Sequence, residues 1–533
     1  MVAVYIRLLG FPELHSHVCG SPDCFEKTNK VEQDNEIRSS NGSVRKRDFG
    51  EALTHLLSLK RALGCVSRVL RLDRASCLFF FAVGLVLRGT PELLVTLYPV
   101  GYETITYYAP VMTTFHSRSL VDVFVETFRA GPFFYVLMWV ASMVSGAHGF
   151  VLLKVTGPVL YGCLAVVFFV FLRLGLKLEW KMAFLATLLL VFQPVALRVS
   201  WDRFRTVLGL VFLFVSLTVL KGGSRFRWLL VAVFGVLTVL SREYVAVVLF
   251  AAVLGYAILE RKDRMMSLVA LAPAVTIFTV MSYPAWLWWN YVSPDNPFAI
   301  GSYSWVLQDV FSIFALCYLP LLIFVVRGFW RDRLLDPVVG WLLLGSFSVV
   351  VIPWFAMPGY QRWLMLLVFP FTVYAVKGFE RFRLFGERRM RILKVTILVF
   401  MVIGVGYSTG AFSYVGMLPN SYVAVNLVQS SIAWDQVDDV KGVLRWLDEN
   451  AETNSCVLTE ERFYGWTLIY LNRANNDVEV IAYVANSLPQ PALEKALGNG
   501  FRWIYLVWYT DSDLENFDTL YSENRVSIFR YEL

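Results

Sequence analysis

Runs of roughly 17–25 apolar residues recur between positions 73 and 411, and a helix needs about 20 such residues to cross a hydrocarbon core about 30 Å thick. Within lipid every backbone N–H and C=O must be paired, so only helices and closed barrels span it. Barrel strands would be about ten residues long and alternating; these runs are longer and continuous. Apolar stretches fall near 73–89, 156–173, 182–198, 206–220, 228–241, 245–259, 265–287, 305–326, 337–353, 363–376 and 394–411, about eleven spans. The chain is 57% hydrophobic and 17% charged, against about 25% charged for soluble domains. The expected fold is an α-helical polytopic membrane protein with further chain at both ends.

Basic residues orient the spans. The connections 173–181, 221–227, 261–264, 327–333 and 377–394 hold nineteen lysines and arginines, while 198–205, 242–244, 288–304 and 353–362 hold five. Cytoplasmic loops carry the excess of Lys and Arg, so the first set is expected in the cytoplasm. That rule also accounts for the net charge of +7 without nucleic acid as a partner. The N-terminus is then cytoplasmic, and residues 88–155 and 412–533 lie on the outer face of a multi-pass protein of the cell membrane. Residues 132–153 are apolar enough to cross, but crossing would invert every later loop. They are expected as an interfacial or re-entrant helix, preceded by a short amphipathic helix in "SLVDVFVETFRAG".

Residues 1–72 are polar and mixed, with no signal-peptide pattern, and are expected as a disordered cytoplasmic extension. Their "HSHVCGSPDC" stretch, His15–Cys24, matches no standard zinc spacing. The seven cysteines are scattered and outline no disulfide framework.

The outer edge carries charges that the orientation rule makes scarce there: Arg88, Glu92, Glu103, Lys154, Arg198, Asp202, Arg203, Arg205, Arg242, Glu243 and Arg362. A lone basic residue at a span end snorkels to head groups, and Arg242–Glu243 also reads as a plain ion pair. As a set, basic residues from five segments on one face point to an anionic head group, with phosphate the best fit to arginine. One acid, Glu103, lies within "YPVGYETITYYAP", a tyrosine-rich loop leaving the first span.

These segments resemble a known family. "RGTPELL" and "YPVGYETITYYAP", "GPFFYVLMWVASMVSG", "LKVTGPVLYGCLAVVFFVFLRLGL", "QPVALRVSWDRFRTVLGLVFLF", "SREYVAVVLF" and "GYQRWLMLLVFPFTVYA" are similar, in order and spacing, to the multi-pass glycosyltransferases of the C-type fold. The likeness is greatest to archaeal enzymes related to the protein O-mannosyltransferases. It covers most of the chain from about 73 onward. It implies a long first outside loop with membrane-parallel helices, a polyprenyl (dolichyl) phosphate-linked sugar as donor, and a protein, glycan or lipid acceptor from the outer side. The family's usual loop acid is Asp, where this chain has Glu103, and Lys154 stands where those enzymes keep a basic residue.

An inverting transfer needs a base for the acceptor proton and cations for the departing phosphate. Glu103 is the expected base. Asp202 is the second candidate catalytic acid, orienting an arginine or the acceptor. Lys154, Arg203, Arg242 and Arg362 are candidates for the lipid phosphate, with Glu243 beside them. Tyr102, Tyr107 and Tyr108 are candidates for the sugar pocket, the other reading being an interfacial aromatic belt. No cofactor is expected. A divalent metal is not implied, because Glu103 has no second carboxylate within two residues and hard cations want several oxygen ligands.

Residues 412–533 alternate helix-like and strand-like runs, as in a small α/β domain, with "VSIFRYEL" expected as a last edge strand. Two other functions compete. A transporter or flippase of a lipid-linked sugar would favour internal repeats and helices broken at mid-membrane. A non-catalytic membrane scaffold would keep only the fold.

Overall fold

The computed structural model describes residues 73–94, 98–222, 226–260, 263–290, 303–329, 332, 334–352, 360–381, 386–409, 432, 434–471, 478–483, 490–510 and 516–531. The chain divides into two units. The smaller, 1–74 with 224–226, lies almost wholly outside the described residues, and the N-terminal extension with its His15–Cys24 stretch lies there too. The larger, 75–223 with 227–533, is a helical membrane protein carrying a small C-terminal sheet.

The first helix, α1 (Arg74–Leu94), leads into a loop with a π-helix (Thr104–Tyr108), α2 (Leu120–Thr127) and α3 (Pro132–Ser145). Then come α4 (Gly149–Val170), α5 (Trp180–Phe192), α6 (Pro194–Asp202), α7 (Phe204–Lys221), α8 (Arg227–Ser241), α9 (Glu243–Leu259), α10 (Arg264–Asn290), α11 (Tyr303–Gly328), α12 (Leu335–Val351), α13 (Tyr360–Leu366), α14 (Val368–Arg381) and α15 (Gly386–Ser408). Each expected apolar stretch lies largely on one or two of these. Among the described residues, five helices are long and apolar enough to cross a membrane, or seven if each of two bent pairs counts as one span. Shorter apolar helices cover 132–145, 227–241, 243–259, 335–351 and 394–408.

Two breaks differ from the sequence expectation. The stretch 182–198 is two helices bent by 61°, because Pro194 has no N–H to continue the ladder of α5 and holds Gln193 extended, with φ −76° and ψ 126°. The stretch 132–153 is also divided. Helix α3 stops at Gly146, whose φ is +65°, and α4 starts at Gly149, its N-cap His148 accepting from the Phe150 N–H. Residues 149–153 therefore belong to α4. At 14 residues α3 is about 21 Å long, short of a bilayer core. One side of it packs Phe134 and Tyr135 inward while Val140 and Val144 face out. Helix α2 starts on a capping box, with Ser119 and Asp122 each accepting the other's backbone N–H, and exposes Val121 and Val125.

The C-terminal domain runs α16 (Val437–Asn450), β1 (Ser455–Glu460), α17 (Glu461–Tyr470), β2 (Val478–Tyr483), α18 (Gln490–Gly498), β3 (Trp503–Tyr509), β4 (Phe517–Glu523) and β5 (Val526–Tyr531). The sheet order is β2-β1-β3-β5-β4, with β1 parallel to β2 and β3 and β5 antiparallel to β3 and β4. "VSIFRYEL" is thus not the edge: β5 is internal, as its buried Val526, Ser527, Ile528 and Phe529 show. The edge strands are β2 and β4; Asp518 and Thr519 of β4 are exposed, and polar edges resist stray pairing. Alternate residues of the parallel strands point to opposite faces. Cys456, Leu458, Ile504 and Leu506 pack with α18 residues Leu493 and Ala496. Val457 and Val507 join α16 residues Val440, Val443 and Leu444 in a core that continues into Ile105, Tyr108, Met112 and Phe134 of the first loop. The C-terminal domain and the loop that carries Glu103 therefore share one hydrophobic core.

Candidate functional site

The loop after α1 is anchored by buried charge. Arg88 is fully buried and Glu92 is 4% exposed. They pair at 2.7 Å one helical turn apart. Arg88 also donates from Nε to the Ser200 carbonyl at 3.2 Å and from Nη2 to the Trp201 carbonyl at 2.9 Å. Glu92 Oε2 accepts the Val100 N–H at 3.1 Å. Buried ions persist only when paired and hydrogen-bonded, and this set ties α1, the incoming loop and the end of α6 together. Thr104 adds a bond to the same Trp201 carbonyl. Lys154, expected among the phosphate ligands, belongs here: its Nζ lies 3.9 Å from Glu92 and donates to the Tyr98 carbonyl at 3.1 Å.

Glu103 is the residue before the π-helix and its side chain does not cap it. The π-turn, closed by the Ala109 N–H on the Thr104 carbonyl, precedes Pro110, which has no N–H for a regular α-bond. Such single π-turns are frequent at functional sites. The Glu103 carboxylate lies 3.5 Å from Arg203 Nε. Burial alone would raise its pKa, but Arg203, then Arg362, Arg242 and Arg198, outweigh burial and hold it at about 2. The loop acid is therefore held by arginines of α6, of the α6–α7 and α8–α9 junctions and of α13.

Around it the cations crowd. Arg198, Arg203, Arg205 and Arg242 are each only 5–7% exposed. Arg242 pairs with Glu243 at 3.6 Å. Tyr244 is shared by two guanidinium groups, Arg242 at 4.8 Å and Arg362 at 5.5 Å from its ring centre, and its hydroxyl meets Thr206. The five arginines outnumber the acids Glu103 and Glu243. The Asp202 side chain lies outside the described residues, and even with it the count stays five to three. Such a set attracts an anion.

The tyrosines separate. Tyr108 is 1% exposed, enclosed by Phe134, Tyr135 and Phe204, and its hydroxyl receives Arg205 Nε at 3.3 Å. It holds Arg205 in place and has no open face for a sugar. Arg205 also meets the Ala130 carbonyl. Tyr107 packs on the shared core and its carbonyl accepts from Tyr135. Tyr102 lies near Arg462 of the C-terminal domain. Sequence reasoning left out Tyr244, although it stands within "SREYVAVVLF", and the Arg462 neighbourhood; a tyrosine flanked by Arg and Glu at a span end was the signal for the first.

Other features lie elsewhere. An 840 Å³ groove lined by Leu319, Ile323, Arg327 and Arg381 opens at the far ends of α11 and α14, away from Arg362. Gln193, at the α5–α6 break, is buried and bonded to Thr372 and the Cys317 carbonyl. No protein-family model and no curated protein matches this chain.

Proposed function

We propose that this protein is a membrane glycosyltransferase that moves a sugar from a polyprenyl phosphate to an acceptor on the outer face of the cell membrane, with inversion. In this reading the acceptor hydroxyl loses its proton to Glu103 as its oxygen attacks the anomeric carbon. The bond from that carbon to the phosphate oxygen breaks, and the phosphate leaves with the growing charge. Arg203, Arg242 and Arg362 hold it, with Arg198 behind them. The reading takes the eleven apolar stretches as spans, the N-terminus as cytoplasmic and the sheet domain as outside. The observation that carries it is the excess of buried arginines converging on one carboxylate at one end of the helices.

The arginines that would hold the phosphate also hold Glu103 well below the usual carboxylate range. A carboxylate at about 2 is a feeble base, since a general base works best near the ambient pH. A donor phosphate competes for the same guanidinium groups. Once they are shared, their hold on Glu103 weakens and its proton affinity rises. The base is thus strengthened when the leaving group is bound.

The two bent helix pairs favour a transporter as the second reading, because broken helices mark transport sites. Against it, the polar group at the α5–α6 break, Gln193, is already bonded, and the charges gather at one end of the helices instead of midway. Purified protein in lipid, given a panel of radiolabelled polyprenyl phosphate sugars and a mixture of outer-surface acceptors, decides between them. Label transferred by wild type and lost in Glu103→Gln is expected. Label carried across vesicles with no transfer would favour the transporter and overturn the enzyme.

A further inference from the structure

The parallel part of the C-terminal sheet has a switch point. From β1 the chain crosses to β2 on one side, then returns past β1 to β3 on the other. In open α/β sheets, ligands bind at the carboxyl ends of the strands where the order reverses. Here those ends bear Glu460 on β1, Tyr483 on β2 and Tyr509 on β3, with Glu460 and Tyr483 in register.

Tyr483 lies on the face of the sheet that packs on α18, Tyr509 lies on the other face beside Phe463, and Arg462 stands in the first turn of α17. Glu460 is fully buried and fixes Arg462, whose Nε and Nη2 lie 3.0 and 2.7 Å from one carboxylate oxygen. The Tyr483 side chain is 8% exposed, and its hydroxyl is buried with no hydrogen-bond partner among the described residues. A buried hydroxyl left unbonded costs about 1–3 kcal/mol, so a group that meets it recovers that loss. Trp508 flanks Tyr483 at 5.9 Å, and Phe463 flanks Tyr509 at 5.2 Å.

This edge lies against the Glu103 loop. Helix α17 starts at the carboxyl end of β1, and its Gly465 meets the backbone of Ile105 and Thr106 so closely that a Cβ would collide with both. Tyr98 bonds Tyr470 at 2.7 Å and packs edge-on against Trp466. Tyr102, the neighbour of Glu103, lies near Arg462.

We propose that the carboxyl edge of the C-terminal sheet, at Arg462, Tyr483 and Tyr509, is a sugar-binding subsite that presents a glycan acceptor to the loop of Glu103. Guanidinium donors and tyrosine hydroxyls match sugar hydroxyls, which both donate and accept, and flat aromatic rings match the apolar face of a sugar ring. The acceptor role rests on the glycosyl-transfer reading; the sugar binding does not.

The test uses the full-length protein in lipid nanodiscs. Mannotriose and maltotriose are titrated with saturation-transfer NMR as the readout, and polyprenyl phosphate is titrated separately. Wild type is expected to bind a trisaccharide. Arg462→Gln and Tyr483→Phe are expected to bind it about fivefold more weakly or worse, the worth of one hydrogen bond, with polyprenyl phosphate affinity unchanged. Tyr483→Phe removes one oxygen and keeps the ring, so it decides the matter if Arg462→Gln fails to fold. Equal trisaccharide affinity in wild type and Tyr483→Phe overturns the subsite, as does a wild type that binds neither trisaccharide. Trisaccharide binding that depends on Tyr483, in a protein that ignores polyprenyl phosphate, keeps the subsite and removes the donor reading.

Discussion

At the scale of single residues, Glu103 is the anion on which the buried arginines converge. Glu103→Gln should keep the fold and lower transfer by about 100- to 10,000-fold, the usual share of a general base; rates equal to wild type would reduce it to a loop acid. The same substitution carries a pH signature. Because the folded pKa of Glu103 is depressed to about 2, its carboxylate stabilises the fold above the ordinary carboxylate range and that contribution is lost as pH falls through about 2. Thermal unfolding in detergent should show wild type above Glu103→Gln at neutral pH, with the gap closing between roughly pH 5 and pH 2. A gap that is constant with pH would remove the arginine–carboxylate coupling. Among the cations, Arg242→Ala and Arg362→Ala should each weaken polyprenyl phosphate binding ten- to a hundredfold, since a charge-assisted bond contributes about 1.5–3 kcal/mol; unchanged affinity in both would take them out of the site. These residue types and their common edge were legible in the sequence. Their pairing was not, because Glu103 finds Arg203 a hundred positions away, and nothing local says that Lys154 goes to Glu92 or that Tyr108 is sealed behind Phe134 and Phe204.

At the scale of elements, the site depends on how α3 is held against the helices behind it. Gly131 begins α3 with φ +88°, and a Cβ there would strike the Ser241 carbonyl, the residue before Arg242. Gly131→Ala is therefore wrong twice, in backbone conformation and in space, each a recognised source of loss. It should cost about 1–3 kcal/mol and loosen the Arg242 end of α8. A melting temperature and donor affinity both equal to wild type would show that α3 does not brace that junction. Long apolar helices were readable because a bilayer imposes a minimum run length. The break between α5 and α6 was not, because Pro194 at a first helical position is compatible with a helix start and leaves hydrophobicity unbroken. The edge strand β4 escaped because "FDTLYSE" has no apolar alternation to announce it, and the internal place of β5 follows from non-local pairing that only the folded sheet reveals.

At the scale of the whole molecule, everything turns on which side of the membrane holds the arginine cluster and the sheet. The shared core of Ile105, Tyr108, Val440 and Val457 makes the C-terminal domain and the first loop one body, so a label on the domain reports the side of the site. Asp518, on the edge strand β4, and Lys177, in the turn before α5, are both exposed. One apolar helix running Gly149–Gly175 separates Lys177 from the loop of Glu103. On the proposed orientation Lys177 lies in the cytoplasm. In a variant without native cysteines, Asp518→Cys should react with an impermeant maleimide on intact cells, and Lys177→Cys only after permeabilisation. The proposed transfer from a lipid-linked donor to an outer acceptor requires that arrangement. Labelling of both positions from one side would mean that the Gly149–Gly175 helix does not cross, and labelling of Lys177→Cys alone on intact cells would turn the site toward the cytoplasm.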